Sequence, residues 1–353
     1  MKNDRWSLLR KLSGSIAEDS RATMVLVVVT NLYLFFVIAV WLLLWIGADR
    51  WWLPTIMAYG PRWVYLLPLM ILVPIVVLRR RWLLLVHLAI SGLIAVVPIM
   101  GLCVPLVFSE ADESTLRILS ANLTGKRVDV DKLNCLIVTN EPDVVLFQEY
   151  VGDTSKLVPE GWNSVNVGSL FVASRYPIRD QKSETSKHPP SKWPHTNALN
   201  VSIETPVGPV DFCSVHLRTA RWGILPLLDR HTVVDPSRKY ILKREINDRY
   251  LEAQELSQWL EQFSDPLIIA GDFNMPPDSV IYKRFFGRYT NAFSKAGFGF
   301  GRTRWTTMRG VTFGIRIDHV LTNEYWFPES CWVGPEINSD HLPVFTDLRL
   351  RKR

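Results

Sequence analysis

Carboxylates, amides and imidazoles recur in this sequence where apolar stretches end. Asn122 lies in LSANL, Glu149 follows VVLFQ, and His216 sits in FCSVHL. Asp272 and Asn274 lie in IIAGDFN, Asp318 in RIDHV, and Asp340 with His341 in NSDHLPV. An apolar strand that ends in such a residue holds it rigidly at the rim of a sheet. Taken singly, each would read as a strand cap or a turn residue. Their order and joint presence point to one site. The acids and amides are hard oxygen donors of the kind Mg²⁺ demands. A histidine oriented by a carboxylate can work near neutral pH. Together such groups suit a reaction in which negative charge gathers in the transition state.

The elements that must position these groups alternate between strand and helix patterns. Leu116–Leu123 and Val144–Phe147 read as strands, with helical apolar spacing from Val128 to Val138 between them. Asn200–Glu204 and Val210–His216 flank a turn-like stretch and read as a hairpin. Pro236–Phe263 reads as a long amphipathic helix with Ile246, Tyr250, Ala253, Leu256 and Leu260 near one face. Leu267–Ala270, Arg316–Thr322 and Leu342–Leu350 complete the strands. Asp272 and Asn274, two apart on an extended segment, are expected to point the same way. Mixed strands and helices in this order imply a layered α/β or α+β domain.

A different chain precedes it. Met24–Ile46, Trp63–Leu78 and Trp82–Phe108 are apolar runs. A bilayer crossing takes roughly 20 residues. The second run is short and carries Pro68 and Pro74, although it can extend back through Tyr59. Trp45, Trp51, Trp52, Trp63 and Trp82 fall near the ends, as interfacial aromatics do. Buried core helices are the alternative, and three long runs in succession favour the membrane. Lys2, Arg5, Arg10, Lys11 and Arg21 precede the first run, and Arg79–Arg81 separate the second and third. The positive-inside rule puts both groups in the cytoplasm, and three crossings then put the remainder outside it. The expected organisation is a cytoplasmic segment 1–23, a membrane region 24–108 with three transmembrane helices, a polar linker 109–115 and a catalytic domain 116–353. The formal net charge of +6 favours anionic partners without selecting among them. Of the four cysteines, Cys103 reads as a small lipid-compatible residue, and Cys135, Cys213 and Cys331 read as buried thiols.

The ordered set LSANL, FQE, SVHL, GDFN, RIDHV and SDHLPV resembles the endonuclease/exonuclease/phosphatase superfamily over Leu116–Leu350. The resemblance implies a four-layer two-sheet α/β (α+β) sandwich with the active site at one edge. It implies Glu149 as the principal ligand of Mg²⁺, with Mn²⁺ as a substitute, Asn122 beside it and Asp340 as a further contact. It implies that Asp272 and Asn274 orient the attacking water and contact the phosphate, and that Asp318 holds the ring of His341. His216 would contact a phosphate oxygen or protonate the leaving oxygen. Asp272 and His341 both remain eligible to take the proton from water. His319 reads as a structural neighbour, and His188, His195 and His231 as loop residues.

Two departures prune the family. GDFN continues as Met275-Pro276-Pro277, and Gly314–Asp318 lacks a tryptophan, so the inositol polyphosphate phosphatases fit poorly. GDFNMPPDS is similar to bacterial nuclease-like members. Arg218, Arg221, Trp222, Arg302 and Trp305 are candidate substrate contacts, in a basic tract that also holds Arg230, Arg238, Lys239, Lys243, Arg244 and Arg249, with Arg304 beside the last two contacts. Such a tract suits a nucleic-acid backbone with stackable bases and equally an anionic membrane surface. A solvated helix face with pairs such as Glu245–Arg249 would account for about half of it. The leading expectation is a membrane-anchored, nuclease-like phosphodiesterase. A phospholipase C-like or sphingomyelinase-like enzyme is the alternative, and a non-catalytic membrane scaffold or sensor follows behind.

Overall fold

The computed structural model describes residues 2–105, 115–124, 128–187, 196–228, 236–263, 266–308 and 310–351, with side chains from residue 20 onward. The expected linker 109–114, the end of the third apolar run, Arg230, His188, His195 and His231 lie outside the described residues. Contacts divide the chain into two units: Met1–Leu43 with Arg62–Gly101, and Leu44–Pro61 with Leu102–Arg353.

Four helices occupy the apolar part: α1 (Lys2–Gly47), α2 (Trp52–Ala58), α3 (Leu67–Leu78) and α4 (Trp82–Ile94). A 3₁₀ stretch, Arg62–Leu66, leads into α3, and a π turn over Ala95–Ile99 extends α4. Pro98 within that turn lacks an N–H, which favours the wider winding. Ser20–Gly47 and Trp82–Ile99 are each long and apolar enough to cross a membrane, and α2 with Arg62–Leu78 would make a third if that broken pair is one span. In the first unit, Leu32, Phe35, Met70, Ile71, Leu83 and Leu93 are exposed. Contiguous apolar exposure of this kind is unfavourable in water and neutral in lipid. Thr30 and Asn31 of α1 are satisfied within the helix, since Thr30 Oγ1 donates to Leu26 O at 2.9 Å and Asn31 Nδ2 to Val27 O at 2.8 Å. Arg81 Nη2 donates to Thr23 Oγ1 at 2.8 Å, and Arg62 Nη1 to Ile99 O at 2.8 Å. The α3–α4 turn therefore lies beside the Thr23 end of α1, and Arg62 lies beside the end of the π turn.

The second unit contains β1 (Thr115–Asn122), α5 (Val130–Asn140), β2 (Val144–Gln148), β3 (Asn163–Val167), β4 (Leu170–Ser174), β5 (Ile178–Thr185), β6 (Thr196–Thr205) and β7 (Gly208–His216). They are followed by α6 (Arg221–Leu228), α7 (Pro236–Leu260), β8 (Leu267–Asp272), α8 (Val280–Phe286), β9 (Thr290–Asn291), α9 (Ala292–Ala296), β10 (Arg304–Met308), β11 (Val311–Ile315), β12 (Asp318–Thr322), β13 (Trp326–Val333) and β14 (Val344–Leu350). Two mixed six-stranded sheets run β13-β14-β1-β2-β4-β3 and β5-β6-β7-β8-β12-β9, and β10-β11 form a separate hairpin. The period-2 alternation of each strand decides the layers. Ile118, Val144, Leu146, Val201, Phe212, Ile268 and Ala270 meet between the sheets. Leu119, Val145 and Phe147 turn outward onto Leu133 and Ile137 of α5. Val215 and Ile269 turn outward onto Ala253, Leu256 and Leu260 of α7. The result is the expected four-layer sandwich.

Two findings depart from the sequence expectation. Leu44–Pro61 and residues 102–105, expected within the membrane region, fall in the second unit. Gly101 turns the chain at φ +79°, and Cys103 bridges Gly299 by backbone hydrogen bonds at 2.8 and 2.9 Å. Cys103 is thus not a lipid-facing residue, and Cys135 is exposed where a buried thiol was expected; all four cysteines are free. The second departure concerns Arg249, expected to pair with Glu245. It is fully buried and pairs instead with Asp49, also fully buried, while its Nη2 donates to Tyr59 OH at 2.6 Å and to Asn274 O at 3.0 Å. Glu245 pairs with Arg218. A buried guanidinium must have a carboxylate and acceptors for its remaining protons. Residues 49–59 supply them.

Two outcomes follow for stability. Asp49→Ala should destabilise the protein by about 3–5 kcal/mol by leaving Arg249 charged and unpaired, whereas adding Arg249→Met should recover much of the loss; denaturant midpoints of the two variants decide it. Gly271, at φ +148°, has Val215 O well inside contact distance of the position a Cβ would take. Gly271→Ala should therefore cost at least ~2 kcal/mol, measured as a fall in thermal midpoint.

Candidate active site

Strand pairing explains why residues far apart in order meet. Where β1 runs parallel to β2, Asn122 stands opposite Gln148, and Glu149 follows. Where β7 runs parallel to β8, His216 stands opposite Asp272. Antiparallel β12 begins with Asp318 opposite that same Asp272. Two pairs of parallel strands thus end at one place, one pair from each sheet. Gln148 Nε2 donates to Ser214 Oγ at 3.0 Å just below, which ties the sheets together in the core.

A chain of polar contacts crosses the junction. Asn122 Nδ2 donates to Glu149 Oε1 at 3.0 Å and to Asp272 Oδ2 at 3.1 Å. Glu149 Oε1 also meets His216 Nε2 at 3.1 Å. His341 Nδ1 lies 3.0 and 2.9 Å from the two Asp318 oxygens, and its Nε2 lies 3.7 Å from Asp272 Oδ2. Ligand atoms of Glu149, His216 and Asp272 all fall within 4.8 Å of one another, as do those of Asp272, Asp318 and His341. Glu149 and Asn274 hold left-handed backbone conformations, φ +58° and +52°. Such strain in residues other than glycine persists only where the surroundings over-determine it.

The electrostatics separate the acids. Burial pushes the Glu149 carboxyl up, but the hydrogen bond and charge of His216, with Asn122 behind them, outweigh it and hold the group down at about 2. Asp272 is pushed up to about 6, chiefly by burial and then by Asp318 and Glu149, against the lowering effect of His341 and His216. Burial would lower His341, yet Asp318 and Asp272 raise it to about 9. Burial also opposes the charge on His216, and Glu149 overcomes it and raises the imidazole above its ordinary value. His319 is the reverse case: burial pushes it down to about 3, with Nε2 on Met275 O at 2.8 Å, and it is structural as expected.

Several expected partners take other positions. The Asn122 amide oxygen accepts Thr124 N–H at 3.0 Å, so its N–H₂, not its oxygen, faces the acids. Asp340 stands apart from the carboxylate cluster, with Oδ2 held by Arg304 Nη2 at 2.9 Å and Oδ1 by Thr124 Oγ1. Asn274 does not continue an extended strand beyond Asp272. Its N–H donates back to Asp272 Oδ1 at 2.8 Å, and its Nδ2 donates to Leu217 O at 2.7 Å and Asp272 Oδ2 at 3.1 Å. The reason is local: an Asp followed two residues on by an Asn in the left-handed region closes a side-chain-to-backbone turn. Asn274 therefore steadies Asp272.

Glu149, His216, Asp272, Asn274 and His341 line a cavity of ≈ 510 Å³ together with Thr124, Arg218, Arg221, Trp222, Arg304 and Asp340. Of the expected substrate contacts, Arg218, Arg221 and Trp222 are on its walls. Arg302 and Trp305 are not: the guanidinium of Arg302 stacks on the rings of Phe300 and Trp305, 4.9 and 5.8 Å from their centroids. Arg218 is committed to Glu245 and to Asp248, the latter at 3.4 Å. Sequence reasoning missed Thr124, and it named Arg304 only as part of the basic tract. Arg304 lies on an edge hairpin with no apolar signature, and its backbone bridge to His341 is what brings it to the site.

Comparison with known proteins agrees with the geometry. A sequence model of the Endonuclease/Exonuclease/phosphatase family matches residues 119–341, more than half of the chain and all of the site residues just described. No curated protein matches the sequence closely enough to count as a relative. Among solved structures, an endonuclease/exonuclease/phosphatase family protein from Bacteroides thetaiotaomicron superposes with a TM-score of 0.51 at 16% identity, covering 68% of this chain and 100% of its own. The endonuclease/exonuclease/phosphatase from Bacteroides vulgatus gives 0.50 at 16% identity, with the same coverage of 68% and 100%. The 3′ phosphatase NExo from Neisseria, solved with a product DNA hairpin, gives 0.47 at 18% identity over 65% of this chain and 98% of its own. The two Bacteroides structures share the fold, and the sequence match sets the membership: this chain belongs to the Endonuclease/Exonuclease/phosphatase family.

Proposed function

We propose that the protein is a membrane-anchored, divalent-metal-dependent phosphodiester hydrolase. The observation that carries this reading is the convergence of Glu149, His216 and Asp272 within 4.8 Å, beside the Asp318–His341 pair, on the wall of one cavity. Glu149 fits a hard cation: it is ionised, opens on the cavity, and takes both of its described bonds on one oxygen. Asp272 offers a second carboxylate, and Asn122 would add an oxygen if its amide turned over. Mg²⁺ or Mn²⁺, when bound, supplies charge stabilisation for the phosphoryl oxygens.

The protein's own groups divide the remaining work. Asp272, held in place by Asn122 and Asn274, orients the attacking water and accepts a proton. His341, kept cationic by Asp318, places a fixed positive donor against a phosphoryl oxygen. His216, paired with Glu149, delivers a proton to the departing oxygen. Arg304, braced on Asp340, adds positive charge at the opposite wall. Donors already in position need little reorganisation in the transition state.

The anchor follows from the apolar helices. Arg62–Leu78 reaches about 28 Å, close to the ~30 Å hydrocarbon core, and so serves as the second crossing without α2. With Arg79–Arg81 and the basic N-terminus in the cytoplasm, the catalytic unit lies outside it.

Full-length protein in nanodiscs should hydrolyse 4-nitrophenyl methyl phosphate with Mg²⁺ or Mn²⁺, lose the activity to a chelator, and regain it when metal is returned. Glu149→Ala and His341→Ala should each lower kcat at least ~100-fold while folding as the parent does. Full turnover in the chelator, or in both variants, would refute the reading.

A further inference from the structure

Next to the catalytic cavity lies a second, smaller one of ≈ 150 Å³. Tyr59, Ile224, Leu225, Met308, Ile315 and Ile317 line it, between α6 and the β10–β11 hairpin. The two cavities share Thr219, Arg221, Asn274 and Arg304 as walls, so a ligand with its phosphoryl group at the acids can extend directly into the smaller space.

The chemistry of that space selects among phosphodiesters. Apart from Tyr59, Thr306 and Thr307, the side chains that belong to it alone are aliphatic or thioether, and such a wall suits an alkyl chain better than a base, which stacks on aromatic platforms. A nucleic-acid strand would also bring further phosphates to a basic surface, and here Arg218 and Arg304 are already committed to Glu245 and Asp340. The surface outside the cavities points the same way. Trp222 (60% exposed) and Tyr240 (69%), with Ile241, border one depression on α6 and α7. Lys239, beside Tyr240 in sequence, holds its ammonium 5.0 Å from the ring centroid of Trp52. Exposed aromatic and aliphatic side chains interleaved with lysine suit a lipid headgroup boundary. Tyr59, which lines the smaller cavity, belongs to the segment that continues directly from α1.

We propose that this aliphatic cavity binds the alkyl chain of an amphiphilic phosphodiester, and that the enzyme's substrate is of membrane-lipid type. The proposal rests on reading the Glu149–Asp272–His341 cluster as a phosphodiesterase site. In the reaction the water oxygen bonds to phosphorus, one P–O ester bond breaks, and a water proton goes to the departing oxygen. The products are an alcohol and a phosphate monoester.

The test is a homologous series of 4-nitrophenyl alkyl phosphates, from methyl to octyl, with full-length protein in nanodiscs and Mg²⁺. The value of kcat/KM should climb about fourfold per methylene buried and level off once the cavity is filled. Ile315→Trp, which fills the cavity, should flatten the climb while leaving the methyl ester unchanged. Leu225→Gln should reduce the slope by making the wall polar, and it serves if the tryptophan variant does not fold. Partition of longer esters into the bilayer would raise rates equally in all three proteins, so an unchanged slope in both variants overturns the proposal. A flat series in the parent, or faster cleavage of a single-stranded oligonucleotide than of the octyl ester, overturns it as well. Failure to hydrolyse even the methyl ester defeats the phosphodiesterase reading itself, whereas turnover of the methyl ester with a flat series defeats only the alkyl site.

Discussion

Burying several ionisable groups where two sheets meet is tolerable only if every charge has a fixed partner. The site is organised by that constraint. Asp272 lies among Asn122, Asn274 and His341, His341 is held in turn by Asp318, and Glu149 is shared between Asn122 and His216. No member of the set can move without stranding a neighbour in a medium that penalises unpaired charge. The same interdependence separates the acids in strength. Glu149, with a histidine and an amide on one oxygen, stays ionised down to about 2, while the more deeply buried Asp272 rises to about 6. One carboxylate is thereby suited to hold a cation and the other to exchange a proton, a division set by environment alone.

The sandwich makes the arrangement reproducible. Each parallel strand pair delivers two residues to the same edge, and stacking the pairs face to face brings four such residues together. Backbone strain at Glu149 and Asn274 is the local cost. It is carried where Asx-type hydrogen bonds and packed strands leave the chain no alternative, as at many functional sites.

Much of this was legible in the sequence. The strands that end in Asn122, His216 and Asp272, the one that Glu149 follows and the one that Asp318 begins are short apolar runs, and short apolar runs carry their own signal. The helix α7 was equally plain, because its apolar face repeats over many turns. Other elements left no mark. Gly223 and Pro226 make α6 look like a loop, and β10–β11 is a small exposed hairpin whose alternation is weak. For that reason Arg304 was legible only as one more basic residue, and Thr124 was missed because it lies past the end of its strand. The side-chain directions were misjudged in another way: Asp272 and Asn274 do act on one point, but through a turn that closes on itself and not through an extended strand.

The pairing of Asp49 with Arg249 could not be read from periodicity or motif, since 200 residues separate the partners. It nevertheless changes what counts as the catalytic domain. Family resemblance begins near residue 116, and hydropathy gives residues 24–108 to the membrane. Physical chemistry draws the boundary elsewhere. Arg249 is buried because α7 packs on the sheet, and its charge then requires a carboxylate. Asp49 meets that requirement from the stretch between two apolar helices, and Tyr59 OH donates to the Asn274 carbonyl from the same stretch at 3.1 Å. The turn that steadies Asp272 therefore leans on residues far upstream of the motif set. Part of the chain between the apolar helices thus completes the wall behind the clustered acids and histidines.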